Sequence, residues 1–100
     1  MPTSHDIEHD TPLRVASTAV ATAIPNETVI LDPTSGRYFG LDGVGARVWE
    51  MLQSLTSLRS MVATITAEYD VDAATCERDL RTLLAELDAK GLVVVGDAED

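Results

Sequence analysis

The sequence predicts an α+β, winged-helix-like domain, with an N-terminal three-stranded antiparallel sheet packed on three helices and a short C-terminal strand. Three observations carry that expectation. Residues alternate with a period of two early in the chain; apolar residues then recur every three or four positions from Val44 to Leu87; and a β-branched run, Leu92-Val93-Val94-Val95, follows a glycine. With 100 residues and 45% hydrophobic content, there is material for one core and not for two.

Residues 1–12 mix Thr, Ser, His, Asp and Pro with little apolar content, so a disordered tail is expected there. The folded domain is expected over residues 13–95, followed by an acidic tail over residues 96–100. From Leu13 the pattern turns β-like. Thr18, Val20, Thr22 and Ile24 alternate with Ala19, Ala21 and Ala23, which predicts a first strand with small residues on one side. Pro25-Asn26 marks a turn, and Thr28-Val29-Ile30-Leu31 makes a second strand. Asp32-Pro33-Thr34-Ser35-Gly36 supplies the next reversal, and a third strand covers residues 37–41.

The period then becomes helical. Val44, Val48, Met51, Leu52 and Leu55 define a first helix behind Asp42, whose side chain is placed to accept from the first free amides. Leu58, Met61, Val62, Ile65 and Tyr69 form the apolar stripe of a second, with Thr56 or Ser57 as its cap. Asp72 caps a third, Val71 staples onto Cys76, and Cys76, Leu80, Leu83, Leu84 and Leu87 make its buried face. Gly91 ends that helix and lets Leu92 fold back on Leu87. Residues 92–95 then form the closing strand.

Charge and composition exclude several classes of function. The net charge of −10, from 17 acidic against 7 basic residues, repels phosphates and disfavours nucleic acid. The third helix carries Arg78, Arg81 and Lys90 among Glu77, Asp79, Glu86 and Asp88, which is no basic stripe. A winged-helix nucleic-acid-binding regulator is therefore the alternative reading, not the leading one. The single cysteine excludes an internal disulfide and cannot build a zinc site alone. No apolar run is long enough to span a bilayer, and a cytoplasmic location is expected. No catalytic constellation is visible, because His5 and His9 fall in the expected tail and Cys76 has no base near it in sequence. The chain reads as a protein without enzymatic activity, cofactor or metal.

What remains is a strand edge. Leu41 precedes the helix cap and must turn inward, which by alternation places Phe39 inward and Tyr38 and Gly40 outward. If this strand lies at the sheet edge, its free amides and carbonyls form a template for an extended peptide. Gly40 offers no side chain to obstruct a second backbone. The plainer readings stand beside this one. Trp49 and Phe39 suit core aromatics, Arg37 and Arg47 suit surface ion pairs, Cys76 suits a small buried apolar residue, and an outward Tyr38 serves either a pocket or simple coverage of the strand.

Ser35-Gly36-Arg37-Tyr38-Phe39-Gly40-Leu41, followed by Val44-Gly45-Ala46-Arg47-Val48-Trp49-Glu50, resembles the signature of the PqqD-like family. These are precursor-peptide recognition elements of ribosomally made, post-translationally modified peptides, and the chain is similar to the stand-alone type of lasso-peptide pathways. The resemblance implies a non-catalytic adaptor. It would bind the leader of a precursor peptide by strand addition and deliver it to a leader peptidase of the transglutaminase-like cysteine protease type, with an ATP-dependent cyclase acting afterward. The matching strand comprises Arg37, Tyr38, Phe39, Gly40 and Leu41. On the third helix, Arg78, Asp79, Thr82, Leu83 and Glu86 would flank the peptide, with Leu80 and Leu87 as floor.

Overall fold

Local signals set most element boundaries in the computed structural model, which describes residues 7–25 and 27–96. In chain order these are β1 (Leu13–Val15), β2 (Ala21–Ile24), β3 (Glu27–Leu31), β4 (Tyr38–Asp42), α1 (Gly43–Met51), α2 (Leu58–Glu68), α3 (Ala73–Ala89) and β5 (Val93–Val95). The α+β class and the three-stranded antiparallel sheet agree with the expectation, the sheet having the order β2-β3-β4.

The expected first strand is divided. Ala16 is buried and donates its amide to the Leu92 carbonyl at 2.9 Å, and a turn closes from the Ala19 amide to the Ala16 carbonyl at 3.0 Å. The chain thereby leaves one ladder before it enters the next. β1 pairs antiparallel with β5, Leu13 opposite Val95 and Val15 opposite Val93, in a separate two-stranded sheet. The closing strand thus ties the two ends of the domain together.

Caps behave unequally. Ser57 accepts from the Ser60 amide at 3.2 Å, and Asp72 accepts from the Thr75 amide at 3.0 Å. Asp42 sits at the N-cap of α1 in extended conformation, yet its carboxylate makes no capping bond, contrary to expectation. It is the last residue of β4, and strand alternation turns its exposed side chain to the sheet's outer face. α3 ends as its sequence predicts. Gly91 has φ +72°, the Leu92 amide donates to the Leu87 carbonyl at 2.9 Å, and the Gly91 amide donates to Asp88 at 3.0 Å, a Schellman arrangement.

The core lies between the helices and the inner faces of both sheets. Leu13, Ile30, Val48, Leu52, Leu58, Met61, Ile65, Leu84, Leu87 and Leu92 are essentially inaccessible, and Trp49 closes it at 5% exposure. Phe39 is half-buried and packs on its edge. Leu55, expected on the first helix's apolar stripe, lies beyond the helix end and is 68% exposed.

Residues 7–12, read from sequence as part of a tail, lie across α2 and α3. Ile7 packs on the core and its carbonyl accepts from the Arg81 guanidinium. His9 Nε2 sits 2.9 Å from Glu77 Oε1, and Arg59 grips Asp10 with contacts of 2.8 and 3.2 Å. The low apolar content of this stretch concealed one half-buried isoleucine and charges with distant partners. Residues 1–6 and 97–100 of the two expected tails lie outside the described residues.

Candidate functional site

β4 is an edge strand, paired with β3 on one side and with no strand on the other among the described residues. The direction of its free groups follows from two bonds. The Leu31 amide donates to the Val20 carbonyl at 2.9 Å, and the Asp32 amide donates to the Arg37 carbonyl at 2.8 Å. Alternation along an antiparallel ladder then directs the polar groups of Thr28 and Ile30 to their opposite residues Leu41 and Phe39. Tyr38, Gly40 and Asp42 therefore turn their amides and carbonyls away from β3, toward open solvent. Three alternate backbone units form the template that the sequence suggested.

The side chains sort as predicted. Phe39 and Leu41 are half-buried on the inner face, whereas Tyr38 is 65% exposed and Gly40 and Asp42 lie outside. Gly40 leaves room over β4 for the Glu27 side chain. A Cβ built there would come 2.5 Å from Glu27 Oε2, so the outer face at this point is covered by a carboxylate and not by a β4 side chain.

Beside this edge, the N-terminal half of α3 opens onto a cleft of about 470 Å³. Val44 and Gly45 of α1, residues 69–71, and Asp79, Leu80 and Leu83 of α3 line it, with Ile65 and Cys76 at depth. Leu41 approaches Gly45, where a Cβ would meet its side chain at 3.4 Å, so the β4 edge leads into the cleft. At the other end of α3, Lys90 closes the arrangement. Its ammonium lies 3.2 Å from Asp32 Oδ2 and 5.7 Å from the Phe39 ring centroid. The groove is apolar along its floor, with Asp70 and Asp79 at one end and an ammonium at the other. The Thr34 amide and then Lys90 hold the Asp32 carboxyl below the ordinary carboxylate range.

The expected helix residues divide by face. Asp79, Leu80 and Leu83 line the cleft. Arg78 and Thr82 are exposed and do not line it. Arg78 Nε contacts Asp79 at 3.4 Å, and the Thr82 hydroxyl donates to the Arg78 carbonyl at 3.2 Å. Glu86 is exposed, and Leu87 is wholly within the core at 1% exposure, deeper than a groove floor requires. Arg37 is exposed just before β4, with no ion-pair partner among the described residues. Sequence reasoning missed Lys90, Val44 and residues 69–71. The signal available was modest: a lysine directly before a helix-stopping glycine, and an apolar-acidic run before a helix cap.

Cys76 is free and buried. Burial pushes the Cys76 thiol up, and Asp79 and Asp72 add to the shift. Cations are largely committed to carboxylates: Arg81 to Glu77, Arg47 to Glu68 and Glu50, Arg59 to Asp10 and Lys90 to Asp32. Among the described residues no cluster of His, Cys, Asp and Glu could hold a metal ion, and no helix is long and apolar enough to cross a membrane.

The family model described as Coenzyme PQQ synthesis protein D (PqqD) matches residues 27–93, which span β3 and β4, all three helices and the start of β5. Two solved structures share the fold. TbiB1 in complex with the TbiA(beta) leader peptide is 39% identical with a TM-score of 0.73, over 87% of this chain and 99% of that one. Lasso peptide synthetase B1 complexed with the leader peptide is 26% identical with a TM-score of 0.70, over 82% of this chain and 96% of that one. None of the curated proteins searched matches.

Proposed function

The chain belongs to the PqqD family, and on that premise we propose that it is a lasso-peptide recognition element that binds the leader of a precursor peptide by strand addition to β4. The observation that carries this reading is the alternation at the edge, with the backbone of Tyr38, Gly40 and Asp42 turned outward beside an apolar cleft. A leader running antiparallel to β4 enters at the Asp42 end and leaves toward Tyr38. Side chains on its inner face lie between Phe39 and Leu41 on one side and Asp79, Leu80 and Leu83 on the other. The leader-bound neighbours, one of them 39% identical over nearly their whole length, support the same ligand class.

In this reading the protein is an adaptor without chemistry of its own. It works in the cytoplasm and presents the peptide to a leader peptidase of the transglutaminase-like cysteine protease type, before an ATP-dependent cyclase acts. The test is calorimetry with the synthetic leader of the precursor peptide that the protein serves, in the absence of ATP and metal. Saturable heat is expected, weakened in Leu83→Asp, which places a charge in the apolar cleft. Absence of heat, together with failure of the leader to displace a labelled peptide, would remove the reading.

A further inference from the structure

The three-stranded sheet has a second free edge, on the side opposite β4. Among the described residues β2 pairs with β3 alone, and all four of its residues, Ala21-Thr22-Ala23-Ile24, are exposed. The bond from the Leu31 amide to the Val20 carbonyl fixes the phase here too, so Ala21 and Ala23 direct their amides and carbonyls away from β3. Natural edges are ordinarily blunted by charge, proline or a covering element, and none lies within this strand. Beneath it is a hollow of about 700 Å³, left open because the inner-face residues are alanines. Ala46 and Trp49 of α1, and Gln53 just after it, are among its walls. Above it, on the outer face, Val20 and Ile24 are 52% and 46% exposed. An unprotected edge, a hollow on one face and apolar side chains on the other coincide at one strand.

We propose that the β2 edge is a second strand-addition site, which docks an extended segment of a different protein carrying apolar side chains and a basic flank. The charge at the lip selects this occupant. Glu27 and Glu50 line the hollow beside Arg47, whose guanidinium is bound by Glu50 at 2.8 Å and by Glu68 outside the hollow at 2.9 Å, so carboxylates outnumber the one guanidinium there. That surplus, on a chain of net charge −10, attracts a basic segment and opposes a second copy of this chain. Because β2 and β4 flank β3 on opposite sides, both can be filled together, which extends the sheet to five strands. The two polypeptides are then held by one rigid sheet. This inference does not require that the chain on β4 be a leader.

The test uses the whole protein and a positional-scanning library of capped octapeptides with Lys or Glu at the flanks, read by fluorescence anisotropy and by amide chemical shifts. Lys-flanked apolar members are expected to bind, to move the Ala21 and Ala23 amides and the Trp49 indole, and to do so equally when leader saturates β4. Ala23→Pro, which removes an outward donor and leaves the ladder to β3 intact, is expected to weaken binding about tenfold. Glu50→Lys, at an exposed position of α1 and with circular dichroism to show the variant folded, is expected to abolish the preference for Lys flanks. Shifts confined to residues 38–42, displacement by leader, equal binding of Glu-flanked members, self-association through residues 21–24, or no binding by any member would each overturn the proposal.

Discussion

Replacing Gly40 by proline separates the outward template from the fold. Gly40 directs its amide away from β3, so the substitution removes no bond of the β3–β4 ladder, in which Phe39 opposite Ile30 and Leu41 opposite Thr28 carry the pairing. What it removes is the central outward donor of the edge. A leader carbonyl would then be left without its partner, at roughly 1–3 kcal/mol, equivalent to about 5- to 150-fold in affinity. Gly40→Ala is the control. It keeps the donor, and its Cβ displaces only the end of the exposed Glu27 side chain, which lies 2.5 Å from the Cβ position. Calorimetry with synthetic leader should show the proline variant weakened within that range and the alanine variant close to the parent. Circular dichroism should show both folded. A folded proline variant that binds leader as tightly as the parent would refute strand addition at this edge.

Other expectations follow from the same coordinates. Leu84→Ala, at a fully buried site in the middle of α3, should lower unfolding free energy by about 2–5 kcal/mol in urea titration. Gly91→Ala should cost about 1–2 kcal/mol from the backbone alone, because φ is +72° and no atom lies within 4 Å of the new Cβ. Stability should fall in acid. The Thr75 amide holds the Asp72 carboxyl low, Arg47 does so for Glu68, and His9 and Arg81 do so for Glu77. A carboxylate whose folded pKa is depressed contributes fully above its unfolded value and loses that contribution as pH falls through the folded one. Urea midpoints should therefore drop below about pH 4, and Asp72→Asn, which keeps a capping oxygen, should show a shallower drop.

The parts of the fold legible in the sequence were those decided by a few adjacent residues. Asp72 and Gly91 bracket α3 because a carboxylate that can accept from a free amide and a glycine that can adopt positive φ are local facts. The inward turn of Phe39 and Leu41 was legible because strand alternation had to meet the start of α1 in phase. What required the whole chain was different in kind. The break at residues 16–20 exists because β1 pairs with β5, its partner at the far end of the domain. Lys90 reaches Asp32 and Phe39 only after α3 has been laid beside the hairpin, so its place in the groove is a property of packing. For the same reason sequence alone does not sort the flanks of α3: Leu83 lines the cleft, whereas Arg78 and Thr82 do not. Residues 7–12 were concealed because polar residues with distant ion partners look the same in sequence as polar residues without them.

The account rests on an extended peptide completing β4, and amide hydrogen exchange of the intact protein with and without leader measures this most directly. Addition of leader should slow Tyr38, Gly40 and Asp42, the outward amides. Phe39 and Leu41, already bonded to β3, should change little. Slowing at Phe39 and Leu41 while Tyr38, Gly40 and Asp42 continue to exchange freely, or protection confined to α3, would contradict it.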